Sequence, residues 1–229
     1  MSRPPKLRIA VAGATGLVGR ALLRRLADNR RVGSLYALLR SPAASASLPA
    51  AARPLRVDYA SLGRAGTAAL PALDWAFCAL GTTIRTAGSR TAFRAVDVDA
   101  VIAFARAAQA AGARRFGVVS ALGADAGSAV FYNRCKGEME VALRAIGFDS
   151  LVIARPSLLQ GDRAALGQAT RRAEQWAQRL APLFVWAIPQ RYAPIAADTV
   201  AAALIEALAQ GTQRVTVLES EHLQALGRG

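Results

Sequence analysis

One histidine, two cysteines and two lysines among 229 residues exclude more chemistry than the abundant residues admit. The single histidine, His222, lies near the C-terminus, so neither a Ser-His-Asp relay nor a histidine-based metal site is expected. Cys78 and Cys135 are far apart and form no Cys-x-x-Cys pair, which reads as reduced, packed thiols in a cytoplasmic protein. No apolar run is long enough to span a bilayer, and Met1-Ser-Arg-Pro-Pro-Lys6 leads straight into a strand without an apolar signal region. The expectation is a cytoplasmic protein with no membrane span and no bound metal.

Negative charge is scarce as well, with 15 acidic against 29 basic residues and a formal net charge of +14. The basic residues are scattered singly or in pairs such as Arg24-Arg25 and Arg114-Arg115, with no long run and no interleaved aromatics. That pattern fits a solvated, arginine-biased surface that attracts an anionic small molecule, and it speaks against a nucleic-acid partner. At 53% apolar composition, and without a repeat or a long linker, the chain is ample for one compact domain and short for two. Residues 1–229 read as a single domain in which residues 157–193 cover the substrate. A monomer and a homodimer are both compatible with this reading.

The scarcity of lysine makes one of the two informative. Lys136 stands four residues after Tyr132 in Phe131-Tyr-Asn-Arg-Cys-Lys-Gly137, a spacing that places phenol and ammonium on one helix face. An adjacent cation is expected to lower the tyrosine pKa and so make Tyr132 a general acid or base for a carbonyl or alcohol oxygen. Ser120 closes the apolar run Arg115-Phe-Gly-Val-Val-Ser120, which reads as a buried strand delivering a hydroxyl to a sheet edge. Ser120, Tyr132 and Lys136 are therefore the candidate catalytic residues, expected to converge on one oxygen.

Near the N-terminus, the strand-like Leu7-Arg-Ile-Ala-Val-Ala12 is followed by Gly13-Ala-Thr-Gly16-Leu-Val-Gly19, which opens an amphipathic helix reaching about Asp28. Strand, glycine turn and helix in that order are what a dinucleotide pyrophosphate needs. The glycines allow a tight turn and close backbone approach, and the helix start offers unpaired N–H groups with a positive dipole end. Further strands are expected at Val32–Leu39, Arg53–Val57, Asp74–Ala79, Arg115–Ser120, Ser150–Ala154 and Arg214–Leu218. Helices are expected at Thr91–Ala111, Val130–Ile146, Ala164–Leu180 and Asp198–Gln210. The alternation predicts an α/β fold, a doubly wound parallel sheet with its ligand at the carboxyl ends of the strands.

Together these residues resemble the atypical branch of the short-chain dehydrogenase/reductase superfamily, over nearly the whole chain. Within it, Cys78-Ala-Leu-Gly-Thr-Thr83, Val96-Asp97, Ser120 to Asp125 and Phe148 to Asp162 are most similar to bacterial relatives of the Tat-interacting oxidoreductase family. The resemblance implies a Rossmann fold binding NADPH and a Ser, Tyr, Lys active site. It also implies an adenine contact for Asp58. The expected cofactor contacts are Gly13, Thr15, Gly16, Leu17, Val18, Gly19 and Arg20 at the first turn, with Leu80, Gly81 and Thr82 after the fourth strand. Tyr132 and Lys136, with Arg155 and Pro156, complete the set.

No carboxylate ends the second strand, where NAD-preferring sites hold the ribose 2′-hydroxyl; Arg40 and Ser41 stand there instead, so NADPH is expected to be preferred over NADH. Thr83 to Arg90 reads as a mobile loop in which Arg85 and Arg90 could meet an acidic substrate. Leu158, Leu159 and Trp186 read as pocket walls. Asp97 falls on a helix expected to pack near the catalytic segment, where it reads as stabilising a helix start, and it stands outside the catalytic set. The leading expectation is an NADPH-dependent oxidoreductase acting on a carbonyl/alcohol pair of a small-molecule substrate. A non-catalytic NADPH sensor and an epimerase or dehydratase that recycles its cofactor are the alternatives.

Overall fold

The computed structural model describes residues 6–41, 45, 47–63, 69–160 and 190–227. Among them, seven strands form one sheet in the order β3-β2-β1-β4-β5-β6-β9, with every neighbouring pair parallel. They are β1 (Leu7–Ala12), β2 (Val32–Leu39), β3 (Ala52–Arg56), β4 (Trp75–Cys78), β5 (Arg115–Val119), β6 (Ser150–Arg155) and β9 (Val215–Glu219). A separate two-residue pair joins β7 (Leu159–Gln160) to β8 (Ile195–Ala196). The helices are α1 (Leu17–Ala27), α2 (Ile84–Ala87), α3 (Arg90–Arg94), α4 (Ala100–Ala110), α5 (Phe131–Ile146), α6 (Ala197–Gln210) and α7 (Ser220–Leu226). This is the doubly wound Rossmann architecture. The strand order reverses between β1 and β4, the point at whose carboxyl ends this architecture takes its ligand.

Both faces of the sheet are covered because the side chains of each strand point alternately to opposite sides. Ile9 and Val11 face α1 and α6, where they pack with Leu22, Leu26, Val200 and Leu204. Ala10 and Ala12 face the other layer, which holds Phe93, Val101, Phe104, Met139 and Leu143 from α3, α4 and α5. Each fully buried Phe or Leu contributes about 1.5–3 kcal/mol relative to exposure. The two cores therefore fix the sheet between its helices and leave the strand ends to carry polar chemistry.

Two elements differ from the sequence reading. Thr83 to Arg90 is not a loop throughout: the Thr83 hydroxyl accepts the Thr86 N–H at 3.0 Å and caps α2, and the Ser89 hydroxyl accepts the Ala92 N–H at 3.0 Å and caps α3. The hydroxyl residue three before each bonded N–H is the physical reason. The expected helix over Thr91–Ala111 is present but interrupted, because Ala95–Asp99 between α3 and α4 forms a turn of π-helix. The expected helix at Ala164–Leu180 and the pocket wall Trp186 lie outside the described residues.

Candidate active site

The turn after β1 is built around close backbone contact. Gly13 has φ +76°, and the Gly16 N–H donates to its carbonyl at 3.0 Å. A Cβ on Gly13 would fall 2.3 Å from the Ala79 carbonyl oxygen, and one on Gly19 would fall 2.0 Å from the Gly13 oxygen. Only hydrogen fits at either position, so helix, turn and β4 close on one another. Gly16 caps α1 without a side-chain bond, and no acidic residue lies in the first turn of α1. The helix start thus presents unpaired N–H groups and an uncompensated positive dipole end, which fit an anionic dinucleotide. Thr15 is exposed at this turn, Leu17 is half-buried, and Val18 and Gly19 are buried against the sheet.

Lys136 and Asp97 meet at the end of β4. Lys136 is 3% exposed and Asp97 is 1% exposed, and the ammonium lies 2.7 Å from Asp97 Oδ1. The other carboxylate oxygen accepts the Thr82 backbone N–H at 2.8 Å. A Cβ on Gly81 would stand 3.5 Å from Asp97 Oδ1 and 4.0 Å from Lys136 Nζ, so the backbone after β4 lies directly against the ion pair. Leu80 and Thr82 flank it, both half-buried. Tyr132, one helical turn before Lys136, packs its ring on Phe93 with centroids 5.6 Å apart.

The expected lowering of the Tyr132 pKa is corrected here. Burial pushes it above its ordinary value, Lys136 offsets only part of that, and Asp97 adds to the rise. For Lys136, burial acts downward, but Asp97 and then Tyr132 more than compensate, so the ammonium is held above its ordinary value. The cation that was to activate the phenol already has a carboxylate of its own.

Ser120 is hydrogen-bonded to a carboxylate of α5. Its hydroxyl donates to Glu140 Oε1 at 2.6 Å, and Glu140 also receives the Arg155 guanidinium, whose Nη2 lies 2.7 Å from Oε2. Arg155 binds Glu219 as well, at 3.0 Å. Glu140 stands two helical turns beyond Tyr132, about 12 Å along the axis. Ser120 therefore commits its hydrogen to a buried carboxylate, and Arg155 is engaged on both sides by carboxylates of α5 and β9. Pro156 is buried, and its carbonyl accepts the Leu122 N–H at 3.0 Å, which ties the loop after β5 to that after β6.

The remaining candidates form an outer ring. Arg40 and Ser41 are exposed after β2, and Arg40 lies near enough to the buried Tyr59 to favour its ionised form. Tyr59 in turn sits by the Gly13 backbone, with its pKa raised chiefly by burial. Asp58 accepts the Ala60 N–H at 3.0 Å and the Ser61 hydroxyl at 2.9 Å, so both its oxygens serve a local turn. Arg20 instead lines a hollow of about 570 Å³ with Leu17, Arg24, Leu48 and Ala197, away from the Lys136 pair. Arg90 stands over the Phe131 ring at 5.1 Å. Leu158 is exposed and Leu159 belongs to β7.

The sequence reading missed Asp97 and Glu140 as interacting groups. Both were detectable as acidic residues within apolar stripes: Asp97 shares a face with Phe93 and Val101, and Glu140 stands between Met139 and Leu143. An isolated carboxylate in such a stripe requires a buried partner.

A parallel sheet in this order, with a glycine turn after its first strand and a buried Tyr-x-x-x-Lys helix beside its fourth, defines an atypical, short-chain dehydrogenase/reductase-like nucleotide-binding protein. The chain belongs to the NAD(P)H-binding family, whose sequence model matches residues 13–211. It is 36% identical over 154 residues to protein FMP52, mitochondrial, of Eremothecium gossypii, covering 67% of this chain and 66% of that protein. It is 35% identical over 159 residues to protein HTATIP2 of Rattus norvegicus, covering 68% of this chain and 62% of that one. The chain thus spans about two thirds of the length of these curated relatives. In fold it is similar to a short-chain dehydrogenase/reductase family oxidoreductase from Burkholderia thailandensis, with TM-score 0.64, 20% identity, and 96% of this chain and 94% of that one covered. It is also similar to the UDP-Glc/GlcNAc 4-epimerase of Campylobacter jejuni, with TM-score 0.65, 15% identity, and 96% and 82% covered. Among the described residues, no helix is long and apolar enough to cross a membrane and no group of three ligating side chains could hold a metal ion.

Proposed function

We propose that the protein is an NADPH-dependent oxidoreductase that interconverts a carbonyl and an alcohol on a small molecule, with Tyr132 exchanging the proton at the substrate oxygen. The observation that supports it best is the buried Lys136 ammonium, held against the Gly81 backbone one helical turn from Tyr132. Gly13, Gly16 and Gly19 would hold the pyrophosphate, Arg40 and Ser41 the 2′-phosphate, and Leu80 to Thr82 with Lys136 the ribose next to the nicotinamide. When bound, the cofactor supplies the hydride. The chain's own part is placement and the proton. Tyr132, kept as a phenol at neutral pH, donates to the oxygen, and Lys136 stabilises the phenolate that remains until solvent returns the proton. Ser120, whose hydrogen goes to Glu140, offers only lone pairs.

Tyr132→Phe tests this. NADPH binding, followed by nucleotide fluorescence, is expected to persist, while turnover on a panel of carbonyl compounds falls by about 100-fold or more. Unchanged turnover removes Tyr132 from the mechanism. One observation favours a second reading, an NADPH-binding protein without turnover: the Ser120 hydrogen is not free for a substrate. Tight NADPH binding with no turnover on any compound would support it. Tightly retained oxidised cofactor without net consumption would point instead to an epimerase or dehydratase that recycles it. A cytoplasmic location belongs to the proposal too. The fungal relatives carry "mitochondrial" in their names, and fractionation of the source cells decides the point.

A further inference from the structure

We propose that Asp97 is a positioning residue of this site: one carboxylate that holds the Lys136 ammonium and the Thr82 backbone in fixed relation, compensates the lysine charge inside the protein, and so keeps the Tyr132 proton in place for donation. The inference rests on the reading of Tyr132 as the proton donor. Three independent features carry it.

Each carboxylate oxygen meets a different element. Oδ1 takes the ammonium at 2.7 Å and Oδ2 takes the Thr82 N–H at 2.8 Å, so α5 and the loop after β4 are tied to a single side chain. The geometry is also purpose-built. Asp97 lies in the π-helical turn between α3 and α4, and such turns inside α-helices are frequent at functional sites. Finally, the pair is deeply buried, at 1% and 3% exposure, where an unpartnered charge would cost several kcal/mol. A counter-ion that served only to neutralise a buried lysine would not need its second oxygen on the Thr82 N–H. A carboxylate that served only to close a helix start would not need to reach across to α5.

The charged and titratable groups that face this centre from the packed elements are Asp97 from the π-turn, Lys136 and Tyr132 from α5, and the Cys78 thiol from β4. The thiol is pushed up to about 12, chiefly by burial, and so stays neutral. Asp97 is the only carboxylate among these groups. Its loss leaves Lys136 as an uncompensated cation beside the phenol, which favours phenolate. Loss of the Thr82 tie also frees the loop that faces the cofactor.

The test is a spectroscopic titration of tyrosinate, assigned to Tyr132 by difference against Tyr132→Phe, and it needs no turnover. Asp97→Asn keeps the shape and removes the charge. Its Tyr132 is expected to ionise at least about one pH unit lower than in the wild type, with NADPH affinity weakened roughly tenfold. An unmoved titration in a folded Asp97→Asn protein overturns the proposal. Should Asp97→Asn not fold, Asp97→Asn/Lys136→Met removes both charges together. Because the two largely cancel, Tyr132 in this variant should ionise within about one unit of the wild type. A larger upward shift would mean that Lys136 acts uncompensated and would also overturn the proposal. Turnover surviving in Tyr132→Phe would defeat the proposed reaction while leaving the titration to decide the role of Asp97 as a charge partner.

Discussion

At the residue scale, the decisive fact is which side chain holds the Lys136 charge. A phenol beside a free ammonium would titrate toward neutrality. A half-buried phenol beside an ammonium already paired with Asp97 has its pKa held above the ordinary value of 10. The two directions of catalysis should therefore differ. Reduction needs the phenol, so its kcat/KM is expected to stay level through neutral pH and to decline only above about pH 10. Oxidation needs the phenolate, so its rate is expected to climb about tenfold per unit without levelling below that pH. Initial rates in both directions over about pH 6–10 check this, and a basic limb for reduction near neutrality would contradict it. Lys136 sets a matching limit on stability. Its folded-state pKa is raised above the ordinary 10.5, so the stabilisation it contributes is complete below that pH and is lost as pH rises through the folded value.

At the element scale, the glycine turn depends on contacts that admit no side chain. The Cβ introduced by Gly19→Ala would strike the Gly13 carbonyl oxygen at 2.0 Å, a backbone atom that cannot swing aside. The variant is expected to lose about 2–4 kcal/mol, to melt roughly 5–15 °C lower, and to bind NADPH at least about tenfold more weakly. Thermal melts and fluorescence titration would show it. This turn was legible in the sequence because glycine spacing reports backbone geometry directly. So were the strands: β2 is the expected Val32–Leu39, and β4 lies within the expected Asp74–Ala79. The convergence of side chains was not legible. Tyr132 and Lys136 were found because four-residue spacing sets a helix face, but Asp97 lies 39 residues before Lys136 and Glu140 meets Ser120 across 20 residues, and only tertiary packing makes either contact. The Ser120–Glu140 bond was hidden for the same reason: the sequence shows where the strand ends, not which carboxylate takes the hydrogen.

At the scale of the whole molecule, an excess of 14 positive charges surrounds a site that is itself nearly neutral, since Lys136 and Asp97 cancel. Long-range attraction should therefore act on the cofactor as a polyanion, and most on the form with the additional phosphate. Raising the salt from about 0.05 to 0.5 M is expected to weaken NADPH binding more than NADH binding, lowering the ratio of the two affinities by about threefold or more. Arg40→Ala should lower that ratio already at low salt. Titration of both nucleotides at the two salt concentrations measures it, and equal salt dependence would remove the arginine surface from cofactor choice.

The π-helical turn at Ala95–Asp99 also has a consequence for how this chain can change over evolutionary time. Such a turn accommodates one residue more than the regular α-helix on either side of it. A π-turn spends roughly one residue more than an α-helix on the same rotation, so excising one residue there would close the ladder into a continuous helix and leave the faces of α3 and α4 in nearly their present relation. Phe93 and Val101 would keep their places in the core, while the local bulge that carries Asp97 would be lost. A single-codon deletion is thus the change that would separate the packing of this helix from its ion pair.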